Sequence, residues 1–297
     1  VHSGTALAIR AHASRITHLP VMLLDKEPTS ARTDGGQRRA VRRAPRKKAA
    51  AVEPTSILAI DIGGTNVKLL ASGHHTPIKV PSGKRMTPAT LVETVVAATT
   101  AWDYDGISIG YPGLVGEHGP HSEPGNLGPG WVGFDFAAAF GKPVKIINDA
   151  AMQALGSYDG GRMLFLGLGT GLGSTLITEN VIVPLELGEL PYGEGEKLGL
   201  LVGRRGLKRT GKTKWRATVC EMIAAFARAF VVDYVVLGGG NAKLIRELPN
   251  NVRLGHNLTA FRGGFRLWNL EDIKPLSPEG EDATHRKARK PAAWRVV

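Results

Sequence analysis

Ile57-Leu58-Ala59-Ile60-Asp61-Ile62-Gly63-Gly64-Thr65-Asn66-Val67-Lys68-Leu69-Leu70-Ala71 is the stretch on which the fold turns. An apolar, β-branched run ends in an acid and a glycine pair, and a second β-rich run follows at once, so it reads strand, tight turn, strand. Thr76 to Val80 supplies a third short strand. The turn leads into a strand rather than a helix, which excludes the dinucleotide fingerprint, and it lacks the Gly-Lys-Ser/Thr of a P-loop. Glycines at such a turn can still bring bare backbone N–H groups against an anion. Taken alone this is weak, because glycine hairpins are structural commonplaces.

The same design returns at Met163 to Pro184, where MLFLGLGTGLGSTLITEN is followed by VIVP. An internal duplication of a hairpin-led unit explains both. A third glycine turn, Gly238-Gly239-Gly240, closes a strand expected over Val232 to Leu237. Between these lie a helix expected from Pro88 to Trp102, strands at Gly106 to Gly110 and Pro143 to Ile147, and a helix from Ala150 to Tyr158. Trp215, Val219, Met222, Ile223, Phe226 and Phe230 fall at helical spacing and need a sheet to cover them. The alternation is that of an α/β chain.

The 297 residues allow one large or two modest domains. The single cysteine, Cys220, rules out an internal disulfide and a cysteine cluster for zinc, and suits a reducing, cytoplasmic setting. No apolar run reaches the ~18 residues of a membrane span. The net charge of +12 is uneven. Residues 1–55 hold 11 Lys/Arg against 4 Asp/Glu and residues 271–297 hold 6 against 5, which leaves 21 against 17 for residues 56–270. The basicity therefore belongs mostly to an arm over 1–55, which lacks hydrophobic periodicity and reads as disordered, as does the tail over 271–297. A nucleic-acid partner is not expected of the nearly balanced centre.

Several residues have a plain local reading. Asn148-Asp149, between strand and helix, looks like a helix N-cap. Glu186 and Glu189 look like turn acids, Asn126 like a turn residue among glycines, and His74-His75 like a hairpin turn. From Arg204 to Arg216 the run RRGLKRTGKTKWR carries seven Lys/Arg and no acid. It is either a solvated start of a helix or a track for an extended polyanion.

In combination the motifs resemble a known family. Ala59 to Lys68 is similar to the first phosphate motif of sugar kinases with the duplicated actin/hexokinase-like (ribonuclease H-like) fold. Leu168-Gly169-Thr170-Gly171-Leu172-Gly173 is similar to the second, and Val236 to Gly240 to the adenosine motif. Over about residues 56–268 the chain resembles the ROK (repressor, open reading frame, kinase) family, and within it the bacterial polyphosphate glucokinases. The resemblance implies two lobes, 56–150 and 151–270, around a central cleft. It implies transfer of a terminal phosphoryl group from polyphosphate or ATP to the 6-hydroxyl of glucose or a similar hexose. Asp149 would be the general base, and Asn126, Asn148, Asp149, Glu186 and Glu189 would hold the sugar. Asp61, Gly63, Gly64, Thr65, Lys68, Gly169, Thr170, Gly171 and Gly238 to Gly240 would hold phosphate, with Asp61 on Mg²⁺ through water. Arg204, Arg205, Lys208 and Arg209 would extend the contacts along polyphosphate. A homodimer is compatible with the family; a membrane partner is not implied.

The chain departs from the pattern at Glu189, where the family's Glu-x-Gly-His has histidine. A carboxylate only accepts hydrogen bonds, whereas neutral imidazole also donates one, so the hexose preference is open at that position. The Cys-rich loop that carries the family's zinc is missing, so no structural zinc is expected. The alternative function is a non-catalytic sugar-binding regulator on the same fold. Repressors of the family place a helix-turn-helix ahead of the kinase motif, and residues 1–55 show no two-helix pattern.

Overall fold

The computed structural model describes residues 54–192, 195–256, 258–269 and 294–297. The expected arm over 1–55 and tail over 271–297 lie outside these except at their inner and outer ends. Among the described residues the first sheet holds β1 (Ile57–Ile62), β2 (Asn66–Ala71), β3 (Ile78–Pro81), β4 (Gly106–Tyr111) and β7 (Val144–Asn148). β5 (Val115–Gly116) and β6 (Gly119–Pro120) form a separate small hairpin. The sheet order is β3-β2-β1-β4-β7, antiparallel through the β1–β2–β3 meander and parallel from β1 to β4 to β7.

The second sheet repeats this arrangement with β8 (Met163–Leu168), β9 (Leu172–Thr178), β10 (Val181–Leu185), β13 (Tyr234–Gly238) and β14 (Val252–Leu254). The meander β8–β9–β10 is again antiparallel, and β8, β13 and β14 again run parallel. The duplication read from the glycine turns thus extends to the whole sheet. β11 (Pro191–Tyr192) and β12 (Glu196–Lys197) make a second small hairpin. At the far edge β15 (Arg295–Val296) pairs in parallel with β10, and Trp294 packs edge-on against Tyr158 at 5.7 Å. This corrects the frayed-tail expectation for the last four residues: the open edge of β10 offers them backbone partners. At the other end Thr55 donates from both its amide and its hydroxyl to Asp105, so ordered packing starts slightly before residue 56.

Among the described residues six helices flank the sheets: α1 (Pro88–Ala98), α2 (Phe136–Phe140), α3 (Asp149–Ser157), α4 (Leu198–Val202), α5 (Arg204–Ala229) and α6 (Thr259–Arg266). α1 is shorter than the expected 88–102, because the Thr99 hydroxyl and amide both turn back to the Val95 carbonyl and close it. α5 begins eleven residues before its apolar stripe and breaks at Gly211, whose φ of 76° and ψ of 164° no helix allows. β13 starts two residues late, since Val231 takes a left-handed φ of 50° and Val232 still donates to Ala227 at the end of α5.

The outer face of the first sheet buries α1, α2 and Trp131, and the outer face of the second buries α4 and α5 around Trp215. The inner faces share one core: Ile57, Ala59 and Ile147 from the first sheet and Phe165, Ile177 and Val236 from the second close on α3 and α6. α3 and α6 touch backbone to backbone. A Cβ on Gly156 would overlap the Thr259 carbonyl oxygen, and one on Gly263 would overlap that of Met152. α6 also grips the first sheet, with the Ser108 hydroxyl donating to the Gly264 carbonyl at 2.5 Å and the Trp268 indole donating to the Ser108 oxygen at 2.9 Å.

Gly156→Ala and Gly263→Ala should each destabilise the protein by ~1–3 kcal/mol through overpacking, which lowers the melting temperature by ~2–4 °C per kcal/mol. Gly125→Ala, where a Cβ meets nothing within 4 Å, should leave it unchanged. Thermal unfolding of the three variants checks this.

Candidate active site

The C-terminal ends of β1, β7, β8 and β13 meet at a cleft of about 370 Å³ between the sheets. The first glycine turn is fixed by its own carbonyls: the Ser82 hydroxyl donates to Gly63 O at 2.5 Å and the Ser82 amide to Thr65 O at 3.0 Å. The second turn is fixed likewise. Gly169 O accepts from the Arg204 amide and from the Asn241 side-chain amide, each at 3.0 Å. Asn241 also donates its own amide to Leu168 O, which ties the third turn to the second. Gly239, with a φ of 79°, lies so close to Leu168 O that a Cβ there would overlap it. All three glycine motifs therefore border one space.

Asp149 opens α3 at the floor of the cleft. Asn148 caps the helix, its Oδ1 accepting from Ala150 and Ala151 at 2.9 and 3.1 Å, and its Nδ2 donates to Gly113 O at 3.1 Å. The local N-cap reading is therefore realised in Asn148, which keeps one amide proton for other use. Burial pushes the Asp149 carboxyl up, to about 7, and the nearby carboxylates of Asp61 and Glu186 push the same way. The Ala150 amide, bonded at 2.8 Å, opposes them. Glu186 lines the cleft, and its carboxyl is also raised, by burial first and by Glu189 second.

Asn126 faces Gly64 across the cleft, so close that a Cβ on Gly64 would overlap its amide nitrogen. Its loop is held by Glu123, whose carboxylate accepts from the amides of Gly130, Trp131 and Val132 at 3.0, 3.0 and 3.1 Å. The buried Trp131 anchors it by stacking near Tyr111 and Phe136.

A second cavity of about 350 Å³ adjoins the first, with Gln153 and Gly239 lining both. It contains Asp61, Lys68, Gly238 to Gly240, Lys243 and His256. Asp61 is nearly buried and pairs with Lys68, its cross-strand partner, at 2.8 Å. Among the described residues no three His, Cys, Asp or Glu side chains converge on one point. A single carboxylate at the wall of this cavity still suits Mg²⁺, which keeps most of its waters and takes its remaining ligands from substrate phosphates.

Not all expected residues gather here. Thr65 is exposed at the tip of its turn, outside the residues lining either cavity. Glu189 is exposed on the rim, where its carboxylate pairs with Lys197 at 2.5 Å and does not line the cleft. Its expected sugar contact is thus not among the cleft-lining residues, although the short 3₁₀ turn over Leu187–Glu189 keeps it beside Glu186, its amide donating to the Glu186 carbonyl at 3.0 Å. Arg209 is held by both oxygens of Glu196 at 2.6 Å, so a donor would have to compete with that acid for its guanidinium. Arg204, Arg205 and Lys208 are exposed on α5, whose first residue abuts the second glycine turn. Gln153, Gly113, Lys243 and His256 escaped the sequence reading. Gln153 alone had a signal, since it lies one helical turn beyond Asp149 on the same face.

No protein-family model matches the chain. Polyphosphate glucokinase of Mycobacterium tuberculosis is 27% identical over 203 residues, which cover 61% of this chain and 76% of that protein. The solved inorganic polyphosphate/ATP-glucomannokinase from Arthrobacter sp. strain KM superposes with a TM-score of 0.62 at 24% identity, over 73% of this chain and 99% of that one. A ROK family glucokinase from Streptomyces griseus, solved with glucose and AMPPNP, gives a TM-score of 0.54 at 17% identity, over 70% and 97%. The chain has the duplicated hexokinase-like fold of the ROK sugar kinases, and in sequence it resembles the bacterial polyphosphate glucokinases.

Proposed function

We propose that the chain is a sugar kinase that transfers a terminal phosphoryl group to the 6-hydroxyl of glucose or a closely related hexose. The observation that carries this is Asp149, a carboxylate at the cleft floor, faced by anion-binding turns and held near neutral affinity for a proton. The hexose 6-hydroxyl gives its proton to Asp149 as its oxygen bonds to phosphorus. The bridging P–O bond then breaks and its electron pair leaves with the shortened donor. Asn126, Glu186 and the remaining amide proton of Asn148 orient the sugar hydroxyls. The amides of the turns at Gly63–Gly64 and Gly169–Gly171 receive the phosphate oxygens, as phosphoryl transfer depends on position and charge rather than covalent help. Mg²⁺, held through water by Asp61, would supply charge neutralisation of the phosphates. A non-catalytic sensor would have no use for a base so placed.

The donor reading includes both ATP and inorganic polyphosphate. The cavity at Gly238 to Gly240 offers room for a nucleotide. The exposed cations of α5, starting at the second glycine turn, support a polyanion longer than three phosphates. Arg204, Arg205 and Lys208 are its proposed contacts, without Arg209.

Asp149→Asn keeps size and hydrogen bonding but cannot take the proton. Its kcat should fall by ~10²–10⁴ with sugar affinity retained, measured by a coupled assay for the sugar phosphate beside calorimetric glucose binding. Wild-type turnover would refute the assignment.

The acid limb follows from the same group. The base works only as carboxylate, and a carboxyl raised to about 7 loses that form as pH falls through 7. The kcat/KM for sugar should therefore drop about tenfold per unit below that point, whereas an ordinary carboxylate would hold activity flat to about pH 5.

Replacing Arg204, Arg205 and Lys208 together with Ala should raise the KM for polyphosphate and leave that for ATP nearly unchanged. The difference should shrink at high salt. Equal loss with both donors would remove these residues from the donor path.

A further inference from the structure

Asp61 and Lys68 face each other across the β1–β2 ladder as direct antiparallel partners, so neither can move far from the other without breaking the hairpin. Their side chains meet at 2.8 Å, and the two are unequally placed: Asp61 is 9% exposed and Lys68 41%. The carboxylate is therefore fixed in the wall, while the ammonium stands at the mouth on a flexible stem and lines the same cavity as Gly238 to Gly240. A divalent ion on that carboxylate would lie within a few ångströms of the ammonium, and like charges at that distance repel strongly in a partly dry site.

We propose that Lys68 is a counter-ion exchanged between Asp61 and the donor. In the free protein it neutralises Asp61 and weakens binding of bare metal ion. When metal and donor enter together, the ion takes the carboxylate and the ammonium turns into the cavity to meet the donor's non-transferring phosphates. This deepens the kinase reading above and rests on it. The device favours entry of the metal as its phosphate complex, since the displaced ammonium then finds a new anion at once. Lys68 acts here by charge, so arginine should replace it in part and neutral side chains should not.

The test uses the full chain and Mn²⁺ as probe, with free ion followed by electron paramagnetic resonance in phosphate-free buffer. Lys68→Met should bind Mn²⁺ on the order of tenfold more tightly than wild type, with Lys68→Gln behaving alike if the methionine variant folds poorly. Lys68→Arg should stay near wild type. In steady state the neutral variants should raise the KM for the donor and leave that for the sugar unchanged. Equal Mn²⁺ affinity in wild type and both neutral variants, with binding abolished in Asp61→Asn, would overturn the exchange and leave Asp61 as the metal residue. Mn²⁺ binding that survives in Asp61→Asn would overturn both the exchange and the metal assignment.

Discussion

The close contact of α3 with α6 is the constraint on which the rest depends. Two sheets share a single pair of helices between them, and those helices pack through glycines, with carbonyl oxygen where a side chain would otherwise stand. Close-packed interiors transmit small displacements. The helix that fills the shared core is also the one that begins with Asn148 and Asp149. The position of the carboxylate is set by core packing and by a two-bond cap rather than by a loop, which suits a group that must reach one hydroxyl within hydrogen-bond distance.

Charge is distributed unevenly around that carboxylate. Asp61, Asp149 and Glu186 lie near enough for their charges to interact, whereas Lys68 is committed to Asp61 and Lys197 to Glu189 on the rim. In the free site Asp61 is thus neutralised by Lys68, while burial keeps Asp149 partly protonated near pH 7. On the proposed reading, donor binding draws on the backbone amides of the turns and on positive charge brought in with the phosphates.

The glycine turns were legible because each needs a specific local chemistry: an apolar strand, then residues without side chains. The duplicated strand order followed from them, whereas the grouping of Gly63, Gly64, Gly169, Gly171 and Gly239 around one space was implied only by the family resemblance. α6 was not legible. Thr259 to Arg266 is short and carries two adjacent glycines, which disfavour a helix, although Ala260, Phe261 and Phe265 fall on one helical face and are buried in the shared core. The ion pairs of Glu189 and Arg209 were not legible for another reason. Their sequence neighbourhoods matched a binding motif and a basic track, but each found an opposite charge on the β12 strand, a tertiary pairing that spacing does not disclose.

Asn126 packs against Gly64, so an added methyl group there would displace its side-chain amide. On the proposed reading one residue belongs to the acceptor loop and the other to the donor turn, so the two half-sites would share a wall. A shared wall makes occupancy of one side felt on the other, and the linkage is necessarily symmetric: whatever factor bound hexose contributes to donor affinity, bound donor returns to hexose. An order of addition observed in kinetics would then describe which partner arrives first, while the equilibrium preference would be mutual.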